Sequence, residues 1–287
     1  MPSLPSSARR RKPPEIRLGF AAEGLIIAAD LADANLLQAL REHSRWQAPC
    51  ECREEDGVLL MAGPNALPVA FRNFVARVDR KVPAGAVLER ARRFFSGRER
   101  AFAVVVRMAR DADLDQAARG AGMTLTGDSA CMLVESALGE PAIPEGIRVE
   151  RFSSEAHVRH AVQVNAEAYQ AIKLPAQETQ LFFGQSGALL SPSVIGFVAY
   201  RGGVPVATAL TILSGEGAGV YWVGTVHAEQ RRGLGEALTR LATNAGFRAG
   251  ASVVALQASA FGEPLYARLG FRTYDRLRRY RVAAASG

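Results

Sequence analysis

The stretch Gln230-Arg231-Arg232-Gly233-Leu234-Gly235 narrows the choice of fold more than any other part of the chain. Residues 219–226, Gly-Val-Tyr-Trp-Val-Gly-Thr-Val, are rich in β-branched and aromatic side chains and predict a strand. Beyond the stretch, Leu234, Ala237, Leu238, Leu241 and Ala242 recur at helical spacing. The glycines therefore fall on a strand-to-helix turn. The first turn of a helix carries backbone N–H groups with no intrahelical partner and a partial positive charge, so it favours an anion. Gly233 and Gly235 lack the β-carbons that would hold a phosphate away, although a helical glycine costs up to about 1 kcal/mol relative to alanine. Two of them together call for the close approach of a ligand or of another backbone.

The spacing fits neither a nucleoside-triphosphate P-loop nor the GxGxxG dinucleotide fingerprint. Gln-x-x-Gly-x-Gly, with Val226 four positions before it, instead resembles the pyrophosphate loop of the GCN5-related N-acetyltransferase (GNAT) superfamily. A second block carries the same resemblance. Residues 252–259 predict a strand, and Gly262-Glu263-Pro264-Leu265-Tyr266-Ala267-Arg268-Leu269-Gly270-Phe271 is similar to the superfamily's helix with its LY-x-x-LGF ending. The resemblance covers about residues 146–283. It implies an α/β (α+β) acetyltransferase-like fold, with a mixed, mostly antiparallel central sheet flanked by helices.

At 287 residues the chain exceeds the usual size of one domain, so two are expected. Hydrophobic residues at 48% and charged residues at 22% suffice for a packed core. No apolar run reaches the ~18 residues of a membrane span; the best candidate, 18–29, is short and contains Glu23. Cys50, Cys52 and Cys131 cannot form a disulfide framework, which fits a reducing, cytoplasmic compartment. Cys50-x-Cys52 with His43 falls short of the four ligands of a closed zinc site. The net charge of +7 is concentrated at the start, where Arg9, Arg10, Arg11, Lys12 and Arg17 oppose only Glu15. With its prolines and serines, 1–17 reads as a disordered basic tail: a solvated extension, a tether or a transit peptide. It has no interleaved aromatics and no export-signal apolar stretch directly behind its arginine pair, so nucleic acid is not an expected partner, nor, with no run long enough to span one, is a membrane.

The first half predicts a helix over 33–44, strands over 57–63 and 69–78, a helix over 83–95, a strand over 101–107, a helix over 114–121 and a strand over 129–134. That order recurs after a linker at 136–145 that contains Pro141 and Pro144. Gly85 and Gly233 are 148 positions apart, as are Gly122 and Gly270, and the same offset brings Val78, Val105, Val106 and Val134 onto Val226, Val253, Val254 and Val282. The shared spacing predicts tandem duplication, with domains at 18–135 and 146–287. At this offset Gln230 faces Val82, Gly235 faces Val87 and Tyr266 faces Ala118. The first half is therefore expected to be a degenerate copy, a scaffold or a wall of the acceptor site.

What the resemblance implies is acyl transfer from acetyl-CoA to an amine, with no metal. It assigns the amides of Arg231, Arg232, Gly233, Leu234, Gly235 and Glu236, within the loop that begins at Gln230, to the CoA pyrophosphate, and the backbone of Thr225 and Val226 to the pantetheine arm. Arg231 and Arg232 would screen the charges of CoA, and Glu236 would complement the helix dipole. Ser259 stands where many members carry Asn. Tyr266 takes the place of the family tyrosine that protonates the departing thiolate, the alternative being a partly buried tyrosine bonded to backbone. The base is open: the strand glutamate of some members is Val220 here, and His227, Tyr221 and Glu167 are candidates by proximity alone. Residues 169–191, with Phe182, Phe183 and Leu189, are expected to wall an acceptor pocket for a small amine, an amino acid or a protein terminus. Two alternatives remain, a non-catalytic acyl-CoA-binding regulatory module and transfer from an aminoacyl-tRNA.

Overall fold

Two parallel strand pairs, each joined through a helix, organise the protein, whose computed structural model describes residues 18–64 and 72–283. The predicted tail at 1–17 lies outside the described residues. The first half comprises α1 (Leu18–Arg45), β1 (Glu51–Glu55), β2 (Val58–Ala62), β3 (Asn73–Arg77), α2 (Ala84–Phe95), β4 (Phe102–Arg107), α3 (Ala112–Gly120) and β5 (Thr124–Val134). The second comprises β6 (Ile147–Arg151), α4 (Glu155–Ala168), α5 (Ala176–Phe182), β7 (Val194–Arg201), β8 (Val204–Ser214), β9 (Gly217–Thr225), α6 (Leu234–Arg248), β10 (Val253–Ala258), α7 (Glu263–Arg268) and β11 (Arg272–Val282). The sequence pattern missed β1. This polar edge strand alternates too weakly to be seen and is held by pairing with β2.

All eleven strands form one sheet in the order β1-β2-β3-β4-β11-β5-β10-β9-β8-β7-β6. Only β3/β4 and β9/β10 are parallel; the other pairs are antiparallel. The last strand of each half is exchanged: β11 pairs with β4, β5 pairs with β10, and the two pair with each other. The covered centre explains the composition of the strands. β3 and β4 are buried along their whole length and read as apolar runs, as parallel strands with both faces covered do.

Structural correspondence between the halves follows the predicted offset only in part. β5 and β11 lie 148 residues apart, and Gly122 and Gly270, both at left-handed φ, turn the chain into them. The helices differ. α2 begins at Ala84 and α6 at Leu234, an offset of 150, which aligns Gly233 with Pro83 and Gly235 with Gly85. Val87 therefore does not stand at a cradle glycine; it is a fully buried core residue on the face that Ala237 occupies in α6. The connection from β9 to α6 is two residues longer than that from β3 to α2, and this extra length displaces the predicted alignment.

Each parallel pair is joined for only three residues, Phe74–Ala76 with Ala103–Val105 in the first half and Gly217–Gly219 with Val253–Ala255 in the second. In the first half, arginines occupy the space where the strands part. Arg77 donates from Nε to Asp111 at 2.9 Å and from Nη1 to the Val82 carbonyl at 3.1 Å, while Arg107 donates from Nε to Asp111 at 3.0 Å and from Nη2 to the Arg77 carbonyl at 2.8 Å. Arg77, Arg107 and Asp111 are all buried.

α1 lies across the other half. Ala28 and Ala32 pack on Leu133, Val253 and Ala255, and Asn35 donates to the Ile212 carbonyl at 2.9 Å. Removing one partner from a buried ion network strands the remaining charges and costs about 3–5 kcal/mol. Asp111→Ala, which leaves both arginines without their shared carboxylate, is accordingly expected to lower Tm by roughly 6–20 °C at 2–4 °C per kcal/mol, as measured by circular dichroism. A change below 2 °C would show the network to be dispensable.

Candidate functional site

In the second half the corresponding gap is open. A bulge on β9 sets it up: Thr208 pairs with Gly224 and Leu210 with Tyr221, so Trp222 and Val223 together oppose Ala209, and Trp222 takes a left-handed φ of 53°. Beyond Gly219, β9 no longer pairs with β10, leaving its backbone polar groups on that edge free of a strand partner. A cavity of about 950 Å³ follows this edge. It is bounded by the loop before α6 at one end, by α7 and β10 along its side, and by α1 and β11 at the far end.

The loop is shaped by two left-handed residues, Arg231 (φ 64°) and Gly233 (φ 84°). Gly233 caps α6 without a side chain, and the first helical bond runs from the Ala237 N–H to the Gly233 carbonyl at 2.9 Å. The N–H groups of Leu234, Gly235 and Glu236 thus begin the helix with no intrahelical acceptor, at the cavity wall. A β-carbon on Gly235 would sit 3.8 Å from Leu265 and 3.9 Å from Thr225, so the backbone there tolerates a side chain and only the cavity would be filled.

The cavity brings together Thr225, Gln230, Arg231, Gly233, Leu234, Gly235, Glu236, Ser259 and Tyr266. Gln230 Nε2 donates to the Thr225 carbonyl at 3.3 Å and ties the loop to the strand. Ser259 Oγ accepts from the Gly262 N–H at 3.2 Å, fixing the entry to α7. Two expected residues fall elsewhere. Val226 N–H donates to the Val206 carbonyl at 2.9 Å and its carbonyl accepts from the Glu229 N–H at 3.0 Å, so neither group faces the cavity. Arg232 turns to Glu229 at 3.4 Å and is not part of the lining, leaving Arg231 as the cradle cation that faces the cavity. Glu236 bonds Arg240 at 3.0 Å through its side chain while its backbone stays at the helix start.

Tyr266 reaches the cavity from α7, its ring packed over Gly262, where a β-carbon would lie 2.8 Å from the ring. Its hydroxyl bonds no described residue, and burial pushes its pKa up to about 12. It stays protonated at neutral pH, so its hydroxyl remains a donor for negative charge that develops beside it. The three base candidates are committed otherwise. Tyr221 donates to Asn35 at 2.9 Å, Glu167 accepts from the His227 N–H at 2.8 Å, and His227 itself is exposed and outside the lining.

Sequence reasoning missed the far wall. Leu36, Ala39, Leu40 and His43 of α1, Val105 of β4, Ser129 of β5, and Leu277 and Arg279 of β11 all line the cavity. Their helical or strand spacing signalled burial; the strand exchange brings those of β5 and β11 to the cavity, and the packing of α1 on the second half brings those of the helix. His43 accepts from the Trp222 indole at 3.2 Å, and burial lowers its pKa to about 3, so it is neutral. Phe182, Phe183 and Leu189 are not pocket walls. They pack with Trp46 and Trp222 in a core that supports the bulge from behind; of the predicted 169–191 wall, Tyr169, Ala171 and Ile172 line the cavity.

Residues 159–271 match the model of the acetyltransferase (GNAT) family. This region is a GNAT domain. No curated protein sequence matches the chain. Solved structures extend the likeness to the first half. A GCN5-related N-acetyltransferase from Kribbella flavida aligns with a TM-score of 0.68 at 23% identity, covering 91% of this chain and 96% of that one. A tandem GNAT protein from the clavulanic acid biosynthesis pathway aligns at 0.61 and 14%, covering 94% and 97%, and a GCN5-related N-acetyltransferase from Sphaerobacter thermophilus at 0.59 and 17%, covering 93% of each chain. At these identities the likeness is one of fold, and it spans both halves.

The left-handed cap is testable by itself. A β-carbon on a left-handed residue costs about 1–2 kcal/mol, so Gly233→Ala is expected to lower the urea midpoint without changing the m-value; Gly235→Ala, with no such φ, is expected to change it by less than half as much.

Proposed function

We propose that the protein is an acetyl-CoA-dependent N-acetyltransferase whose catalytic centre lies in the cleft between β9 and β10. What carries the reading is the continuity of the cleft: three free helix-terminal N–H groups and Arg231 at one end, an unpaired strand edge along its length, and the Tyr266 hydroxyl on its side. The GNAT match over 159–271 supports the choice of acyl donor. The domain boundaries that go with this reading are a degenerate unit at 18–135, a linker at 136–145 and the catalytic unit at 146–287.

Free N–H groups, a helix N-terminus and one unpaired guanidinium suit a pyrophosphate, whose charge would be spread over several donors. The open edge of β9 suits an extended amide chain, which would bond it as an added strand does. Bound there, acetyl-CoA supplies the activated acyl carbon. A neutral amine entering from the α1 side forms the new C–N bond as the C–S bond breaks. Its surplus proton leaves to water, Tyr266 gives its proton to the departing sulfur, and solvent returns a proton to Tyr266. With no committed base, the amine must arrive uncharged. The apolar lining favours that form.

Tyr266→Phe removes the acid while keeping the ring, and is expected to lower kcat by about 10²–10⁴-fold with acetyl-CoA affinity unchanged. Because the Tyr266 pKa lies near 12, wild-type kcat is expected to stay level or rise from pH 7 to 10 as more amine becomes neutral. A fall above pH 9 with a stable protein would contradict the assignment. For binding, saturation at about 100 times Kd is worth about 2.7 kcal/mol. Acetyl-CoA should therefore raise the Tm of wild type by several degrees and leave Gly235→Val unshifted. Equal shifts in both proteins would remove the cradle from the binding site, and the absence of any shift would favour a different role for the cleft.

A further inference from the structure

Among the described residues two partly buried arginines lack a carboxylate partner: Arg100, which donates to the Gly63 carbonyl away from the cavity, and Arg279, which lines it. Arg77 and Arg107 meet Asp111, Arg72 meets Glu178, and Arg110 meets Asp30 and Asp33. Along β11, Arg272 meets Glu135, Arg276 meets Asp128, and Arg278 meets Asp115 and Asp128, while Arg281 is exposed. Arg279 is partly buried and, among the described residues, has no carboxylate within 4.0 Å; its bond is from Nη2 to the neutral Ser129 hydroxyl at 3.1 Å. Burial draws its pKa down, yet a guanidinium stays charged at any physiological pH. Asp128, the acid nearest in sequence to its strand partner, bonds Arg276 and Arg278 and reaches Arg279 only as a more distant charge, beyond ion-pair range.

The backbone holds this side chain in place. Arg279 pairs with Gly127 of β5, and a β-carbon on Gly127 would fall 2.7 Å from the Arg279 Nε and 2.8 Å from Nη2. The guanidinium therefore lies over β5, on the way to β10 and the cleft. The register of β11 against β5 breaks between Arg279 and Tyr280, the kind of irregularity that re-aims a side chain. Both Arg279 and Ser129 line the cavity, as do Leu36, Leu40, Val105 and Leu277.

A partly buried cation without a counter-ion is unfavourable unless a ligand supplies the anion. The pyrophosphate assigned above belongs to the opposite end, beside α6. We propose that the acceptor is an amino acid or similar amine bearing a carboxylate, which Arg279 binds at the α1 end of the cavity. The inference rests on the acetyltransferase reading. Strands are spaced ~4.8 Å apart, so the guanidinium over β5 lies about 7 Å from the gap between β10 and β9. That leaves room for an amine a few bonds from its carboxylate. The apolar walls accommodate a hydrocarbon body between the two groups.

The test follows CoA release from acetyl-CoA with a panel of α-, β- and γ-amino acids and aminobenzoates, each paired with its neutral primary amide. In wild type at least one acid should be acetylated with kcat/KM ten or more times that of its amide. Arg279→Gln should lose that preference, the KM of each acid rising toward that of its amide. Gly127→Val, which keeps the charge but displaces the guanidinium, should weaken the acids in the same way. Stabilisation of each variant by acetyl-CoA reports that it is folded and that its cradle is intact. The proposal is overturned if amides serve as well as acids, if Arg279→Gln keeps the preference, or if no acid is acetylated while acetyl-CoA stabilises wild type. If acetyl-CoA does not stabilise wild type, it is the acetyltransferase reading that fails, and this inference falls with it.

Discussion

The ladder between β5 and β11 holds the molecule together in its present form. Each is the last strand of its half, each is inserted beside the other half's parallel pair, and they are bonded to one another from Arg272 opposite Leu133 to Arg281 opposite Thr124. Neither half could close its sheet alone without re-pairing these strands. The exchange also determines what faces the cleft. By placing β5 and β11 between β4 and β10, it brings Ser129, Leu277 and Arg279 to the far end of a cavity whose near end belongs to α6. α1, packed over β8, β9 and β10, completes that wall from the first half.

The two halves separate their parallel strands in the same way and fill the gap differently. In the first half, Arg107 bonds the carbonyl of Arg77 at the end of β3, Arg77 bonds that of Val82 in the following loop, and the two share Asp111, so the space is closed by charge and hydrogen bonds. Pro83 stands at the position of Gly233, with no N–H to offer and a shorter loop before it. In the second half, the bulge at Trp222 opens the edge, the longer loop turns through Arg231 and Gly233, and the helix begins with bare N–H groups. The same framework thus gives a filled gap in one half and an open cleft in the other. The aromatic cluster of Trp46, Phe182, Phe183 and Trp222 keeps the bulge from collapsing.

Much of the second half was legible in the sequence because its signals are local. Glycines at a strand-to-helix turn, the hairpin glycines Gly202 and Gly203, and the α7 block each specify nearby geometry, and the structure has these elements where they were expected. The helix predicted over 33–44 is the end of a longer α1, whose earlier turns are rich in alanine and carry little periodic contrast. Strand exchange left no trace in either half's pattern, since a strand reads alike whichever neighbour it pairs with. Arg279 was for that reason invisible as a site residue, and His43 and Leu40 because nothing local shows which half α1 packs on. Arg232 and Val226 show the converse. A motif places a residue near a site, but whether it faces the cavity depends on Glu229 and Val206, which the motif does not contain.

Hydrogen–deuterium exchange with and without acetyl-CoA tests most directly whether the open cleft, and not its filled counterpart, is the binding site. Added ligand should slow exchange at 220–225 and 231–236, and leave 74–85 at the start of α2 unchanged. Unchanged exchange at 231–236 in a protein saturated with ligand, or protection confined to 74–85, would contradict the division of roles between the halves.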